Sequence, residues 1–432
     1  MPLTPARAGY PGGRARAWGV WSAAAGVYFV SVFHRTSLSV AGIAAAERFH
    51  ISATQLATFM GLQLLVYGAM QLPVGVLLDR FGSRRLLATG IGLLTLGQLG
   101  FAVVPSYPLA LLSRCVVGLG DAMTFLSVMR LVAVWFPEAR KPLLTQFTAI
   151  AGQLGAVLAA IPIVDALHHF GWSITYAGAA LFGLMLGGVM YAVVIDQPGA
   201  AVDTTRARTL NAMLSGVRDC WARPHTRLGI WIYCSSLFFP SLLILLWGYP
   251  YLVDGQGTGA LTAATLLTLL TVVSIAGGPM VGALVGRAPR TRLPLASVWL
   301  VCGIAIWTLV LLWPGHAPLW ALVLLMIVAG AGFPVGLVAF DYARVGTPGT
   351  QVGTAMALVN VTGYIATIVV IFGIGLVLDL LTPAGSAHYS PHAFSLAMLL
   401  PYPVWAIASV QIWRAARRLH HVADIIRPAP LH

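Results

Sequence analysis

Asp79-Arg80-Phe81-Gly82-Ser83-Arg84-Arg85 is a short charged clip between two long apolar runs, 53–78 and 86–104. A helix needs about 20 mostly apolar residues to cross a bilayer, and each run supplies roughly that length. The clip is therefore a turn between two membrane helices, and its three arginines suit anionic lipid headgroups. Asp79 can pair with a basic group or cap a helix N-terminus. Gly75, one turn earlier, lets a neighbouring helix approach closely.

The rest of the chain repeats this pattern. Of its 432 residues 59% are hydrophobic and 9% charged, with a mean hydropathy of +0.86, which excludes an ordinary soluble domain. Apolar windows place twelve spans near 18–45, 53–78, 86–104, 107–136, 143–167, 172–194, 228–253, 261–285, 295–313, 318–340, 352–380 and 393–413. The first span follows directly on a polar start without a small-residue cleavage site, so it is expected to stay as the insertion signal. Following the spans in order, every basic residue except Arg35, Arg48, Arg114 and Arg130 falls on one face, and the opposite face carries Arg48 alone. The positive-inside rule makes that basic face cytoplasmic, with both termini on it, in a multi-pass protein of the plasma (cell inner) membrane. The net charge of +13 is thus a topology signal, and no nucleic-acid partner is expected. Cys115, Cys220, Cys234 and Cys302 have no metal or redox spacing and read as small packing residues. No metal or other cofactor is expected, and the protein is expected to be a monomer.

The spans fall into two groups of six, residues 1–194 and 228–432, joined by a segment at 195–227 that opens with Gln197-Pro198-Gly199. Within that linker Leu210, Met213, Leu214, Val217 and Trp221 recur at steps of three and four, as in a helix lying on the membrane surface. The two halves also look like copies. Gly282 to Arg292 aligns with Gly75 to Arg85, with Gly286 where Asp79 stands; Gly330 and Gly332 echo Gly118 and Gly120, and Gly363 echoes Gly152.

With Gly75 the clip reads G-x-x-x-D-R-x-G-x-R-R, which resembles the loop signature between the second and third helices of the major facilitator superfamily of secondary transporters. The resemblance covers nearly the whole chain. It implies an all-α membrane fold of twelve transmembrane helices in two pseudo-symmetric six-helix bundles, working by alternating access. Gly75, Asp79, Arg80, Gly82, Arg84 and Arg85 would then belong to the gating motif. Arg130, near the inner end of the fourth span, would join them by pairing with Asp79 or Asp341.

Ionised groups within a span cost several kcal/mol unless paired or hydrated, so each marks a candidate site. Arg35 lies inside the first span beside His34, while Arg114 and Asp121 are seven residues apart in the fourth and share a face with Gly118. The run R-x-S-L-S-V-A from Arg35, together with Arg114 and an acid seven residues later, is similar to the anion:cation symporter family. That family includes vesicular glutamate carriers, sialic acid carriers and bacterial sugar-acid symporters. The resemblance implies that Arg35 grips a substrate carboxylate, Asp121 carries the coupling proton and Arg114 belongs to the charge network linking them. The chemistry agrees, because a guanidinium offers a planar fork of donors to a carboxylate, and competition for one arginine would couple proton to substrate. Arg35 and Arg114 also suit purely structural roles bridging helices. His34 stands where sugar-acid symporters often place a carboxylate; it suits either a second proton carrier or a packing residue. Tyr67, Gln71, Gln153, Tyr233, Ser236, Asn360 and Tyr364 complete the candidate pocket, each also suited to interhelical hydrogen bonding.

Neighbouring classes fit less well. The fifth span reads Ala151-Gly152-Gln153-Leu154-Gly155, without the G-P-x-x-G-G element of drug/proton antiporters. The second and eighth spans lack the arginines of nitrate porters, and the seventh lacks the second arginine of organic phosphate antiporters. No nucleophile elbow, Walker loop or nucleotide fingerprint suggests an enzyme. The expected function is proton-coupled uptake of a small organic anion, a carboxylate or sugar acid. A proton-antiport exporter of a metabolite or drug and a transporter-like sensor without turnover are the alternatives.

Overall fold

The computed structural model describes residues 13–51, 53–197, 210–381 and 390–426, and among them there is no strand. Arg7, Arg206, Arg208 and Arg427 of the basic face, and Pro198 and Gly199 of the linker, lie outside the described residues.

Twelve long helices follow the apolar windows: α1 (Arg14–Val40), α2 (53–81) and α3 (83–103), α4 (Tyr107–Trp135), α5 (141–170) and α6 (172–193). Beyond the linker come α7 (Pro224–Gly255), α8 (Ala260–Arg287), α9 (Arg292–Leu311), α10 (Leu319–Arg344), α11 (Val352–Leu381) and α12 (Pro401–Ile426). Proline sits in the first turn at the start of α4, α5 and α7, where its missing N–H has no intrahelical partner to lose.

The windows miss several local features. The first span is not one helix to residue 45: α1 stops at Val40 and a separate short helix, Gly42–Phe49, follows. The fourth is broken at Met123. The seventh widens to π-helix at Leu243–Trp247 and Tyr251–Gly255, close after Pro240 and around Pro250, each of which removes an N–H from the helical ladder. The linker helix, Leu210–Ala222, is present, but Trp221 is exposed while Cys220 is buried. Cys220, on this helix, is buried as a packing residue should be, whereas Cys302, also expected as a packing residue, is exposed.

The chain divides into two compact units, 1–217 with 348–357, and 218–347 with 358–432. Each packs its helices through glycines at matching places. In the first unit a Cβ on Gly118 of α4 would lie 2.9 Å from the Gln63 carbonyl of α2, and Gly152 of α5 lies against the Tyr28 ring of α1. In the second, Gly330 of α10 meets the Leu270 carbonyl of α8, and Gly363 of α11 meets the Tyr233 ring of α7. Glycines and partners alike recur some 205–212 positions later, so the duplication read from glycines extends to what the glycines touch.

Indole N–H groups add fixed points. Trp172 donates to the Phe101 carbonyl at 2.9 Å and Trp135 to that of Ile195 at 3.0 Å, both at helix C-terminal ends where carbonyls lack intrahelical donors. In the second unit Trp307 donates to Met398 and Trp405 to Ser235. Large apolar side chains such as Leu96, Val103, Val301, Phe372 and Leu376 are more than half exposed. Ten stretches among the described residues have the length and hydropathy to cross a membrane. Such surface is unstable in water but native in lipid, which makes this a multi-pass membrane protein.

Two turns depend on glycine. Gly82 (φ 80°, ψ 170°) and Gly171 (φ 72°, ψ 179°) separate α2 from α3 and α5 from α6, in a region of backbone space almost closed to other residues. At Gly82 a Cβ would also lie 2.5–2.8 Å from the Asp196 carboxylate, whereas at Gly171 nothing stands within 4 Å. Gly171→Ala should therefore cost only backbone strain, about 1–3 kcal/mol. Gly82→Ala should lower the melting temperature of the purified protein further. Equal shifts for the two would show that Asp196 does not contribute.

Candidate functional site

The interior charges of the first unit form one network built on α1 and α4. Arg114 is fully buried. Its guanidinium donates to the carbonyls of His34 at 3.3 Å and Arg35 at 3.1 Å, to Gln98 Oε1 at 3.5 Å and to Gln63 Oε1. It also stands over the Phe101 ring, 5.2 Å from its centroid. The arginine therefore ties α4 to α1, α2 and α3. Gln98 further donates to Ser37 Oγ, and Tyr176 of α6 to the Ser37 carbonyl, fixing the same stretch of α1 from other sides.

Two turns along α4, Asp121 is also fully buried. Its Oδ2 lies 3.4 Å from Arg35 Nε, and its Oδ1 accepts from Ser31 Oγ. Thr124 Oγ1 reaches Ser31 Oγ at 3.3 Å and donates to the Asp121 carbonyl at 2.8 Å. Arg35 differs from Arg114 in that its side chain is 20% exposed, with its guanidinium 5.2 Å from the Tyr67 ring centroid of α2 in a cation–π contact. The site is thus an ion pair with one sealed partner and one partly exposed partner.

The other first-unit candidates sit around this pair. His34 is buried and turned to α6, its ring Nε2 3.2 Å from the Ala179 carbonyl. Gln71 is buried and donates to the Tyr67 carbonyl, and Gln153 is half-buried on α5. Four candidates belong to the second unit. There Tyr233 packs edge-on against Phe340, Ser236 Oγ donates to the Ile232 carbonyl, Asn360 is buried and Tyr364 half-buried.

At the clip, Asp79 accepts from the backbone N–H groups of Gly353 and Thr354, both at 2.8 Å, and from Thr354 Oγ1 at 2.7 Å. These belong to the first turn of α11, which clusters with the first unit, so Asp79 caps a helix N-terminus. Gly75 permits this: a Cβ there would lie 2.8 Å from the Gly353 carbonyl. Arg130 donates to the Leu78 carbonyl, and its charge acts on Asp79. Arg84 is stacked on Tyr191 and donates to that residue's carbonyl; Arg80 lies over Phe81, and Arg85 is exposed. Asp341 pairs inside the second unit with Arg344 at 2.9 Å and Arg292 at 3.6 Å.

The sequence reading missed Ser31, Thr124, Gln63, Gln98 and Asp196. Ser31 was within reach of it, standing one helical turn before Arg35 on the same face. Asp196, which accepts from Arg84 N at 2.9 Å, follows a membrane exit and has no periodic signal.

The family model of the Major Facilitator Superfamily matches residues 24–371. The chain belongs to that superfamily. Within it the chain is most like the anion:cation symporters. The probable galactarate/D-glucarate transporter GudP of Bacillus subtilis (strain 168) is 24% identical over 397 residues, 85% of this chain and 87% of that one. The probable L-galactonate transporter of Escherichia coli (strain K12) is 26% identical over 258 residues, 56% of this chain. This chain spans 57% of that relative's length. The crystal structure of the superfamily transporter FucP in the outward conformation matches with a TM-score of 0.67 at 16% identity, over 91% of this chain and 98% of that one, a likeness of fold.

Arg114 and Arg35 should respond differently to truncation. Removing one partner of a buried charged network typically costs about 3–5 kcal/mol. Arg114→Ala should therefore lose folded yield and melt markedly lower in detergent, while Arg35→Ala keeps a near-native melting curve. A stable Arg114→Ala protein would show that its ties to α1 are dispensable.

Proposed function

We propose that the protein is a secondary carrier that moves a small organic anion, a sugar acid, together with a proton across the cell inner membrane by alternating access. The observation that carries this is the Arg35–Asp121 pair. A carboxylate sealed from water holds an arginine that is one-fifth exposed. A substrate carboxylate that reaches the exposed part of this arginine competes with Asp121 for the same guanidinium. Protonation of Asp121 removes its claim, so the arginine is released to the anion when the proton arrives; loss of the proton restores the internal pair and expels the anion. Ser31 holds one oxygen of Asp121 throughout, leaving Oδ2 as the atom that faces Arg35 and takes up the proton. Arg114 keeps α1 in register with α4, so that the pair can re-form after each turnover. Relatives named for galactarate, D-glucarate and L-galactonate support an acidic sugar derivative as substrate.

Arg35→Lys keeps the charge but loses the planar fork. It should abolish uptake of labelled sugar acid into proteoliposomes while leaving the melting temperature within a degree or two of the parent. Uptake at the parent affinity would refute the carboxylate grip. Asp121→Asn imitates the protonated carboxyl group. Counterflow should survive in it, since exchange needs only reorientation of the loaded carrier, whereas accumulation driven by a pH gradient should vanish. A variant that still accumulates substrate against a gradient would remove Asp121 from proton coupling.

A further inference from the structure

We propose that the carrier takes a monoanionic sugar acid with one proton per turnover, so that the complete cycle transfers no net charge. This rests on the proposed carboxylate and proton roles of Arg35 and Asp121, and follows from counting the charges that can take part. Away from the helix ends, the charged residues of the spans are Arg35, Arg114, Asp121 and Arg130, all in the first unit; 228–253, 261–285, 293–313, 318–340 and 352–378 contain none. Arg130 is held at the clip by the Leu78 carbonyl and faces Asp79. Arg114 is fully buried, with its Nη1 and Nη2 donors directed to two α1 carbonyls and two glutamine oxygens. A substrate could not take those donors without releasing α1 from α4. Arg35, one-fifth exposed, is the interior cation within reach of an entering anion.

The acid side of the count is equally short. Around Asp121 stand Arg35 and Ser31 from α1, Thr124 from its own helix, and the Arg114 charge two turns away. Tyr67 of α2 lies beyond Arg35, and Tyr176 of α6 is spent on the Ser37 carbonyl. His34, the remaining titratable candidate, has its ring on the Ala179 carbonyl of α6, away from the pair. One carboxyl group exchanges one proton, and one guanidinium receives one carboxylate.

In the empty site Asp121 is ionised and neutralises Arg35. In the loaded site Asp121 is protonated and the substrate carboxylate takes its place. The sum over the pair is zero in both, and the substrate and its proton also sum to zero. A six-carbon aldarate brings a second carboxylate, for which the interior spans supply neither a cation nor a second proton carrier. Leaving that charge unpaired within the bundle would cost several kcal/mol.

The test uses the full-length protein in proteoliposomes with two probes of one carbon skeleton, galactonate and galactarate, plus lactate as a small monocarboxylate control. The expected result is counterflow of galactonate at least tenfold faster than galactarate. Galactonate should also accumulate tenfold per unit of imposed pH gradient, unchanged when a potassium diffusion potential of about 59 mV, one tenfold step for a single charge, is added. Preference for galactarate, or accumulation that rises about tenfold with the added potential, would overturn the one-proton monoanion assignment while leaving a carboxylate carrier in place. Exchange of none of the three acids would overturn the proposed function itself, and this inference with it.

Discussion

The organisation of the first unit depends on the cost of holding an arginine where no water reaches it. Arg114 is sealed on all sides, and a buried guanidinium is tolerable only if its donors are met. The donors of Nη1 and Nη2 are met by carbonyls of α1 and by glutamines on α2 and α3, so three neighbouring helices are fixed relative to α4 by the demands of one side chain. Asp121 lies seven residues further along α4, about 10 Å at 1.5 Å per residue, level with the turn of α1 that carries Ser31. The backbone of Arg35 is anchored at one level while its side chain reaches the other. The exposed arginine inherits its position from the buried one.

The two units share a steric plan but not a chemical one. Gly118 and Gly330 admit the carbonyl of the same position in the preceding helix pair, and Gly152 and Gly363 admit the same tyrosine. These contacts survive duplication because close approach of backbones is what holds helices together where lipid is as apolar as the side chains. The ionisable groups do not survive it. Counting by the offsets of the glycine pairs, Arg35 corresponds to Pro240, Arg114 to Met326 and Asp121 to Phe333. An apolar proline and phenylalanine at the positions of the ion pair leave the second unit without a counterpart of it. The asymmetry places the buried ion pair in one unit while both keep the same close glycine contacts.

Much of the fold was legible because membrane helices are written in length and hydropathy, and a turn such as 79–85 interrupts both at once. The interior charges were legible for the same reason: Arg35, Arg114 and Asp121 are conspicuous against apolar surroundings. Their neutral partners were not. Gln63 and Gln98 look like any polar residue of a membrane span, and only three-dimensional geometry shows that each faces Arg114. The break after Val40 and the π-helical turns of α7 escaped too, since apolar composition continues unbroken through both while the backbone does not. His34 shows the limit in the other direction. Adjacent to Arg35 in the chain, it points about 100° away around the helix and bonds to α6 instead of the ion pair.

The acids at the helix ends show how two copies of one loop can acquire different mechanical properties. Asp79 is satisfied by N–H groups at the start of α11, donors that lack intrahelical partners and that water can satisfy equally well. Separating the carboxylate from them therefore leaves neither side with an unmet hydrogen bond, provided water enters. The repeat has Gly286 at the matching position, and its acid is Asp341, one residue before Tyr342, which stands where Arg130 does in the first unit. Asp341 is buried and held by Arg292 and Arg344 of its own unit. Opening that cluster would strand charges rather than backbone dipoles. A carboxylate on a helix terminus is a contact that water can replace, while one enclosed by two arginines of its own unit can be opened only by separating charges.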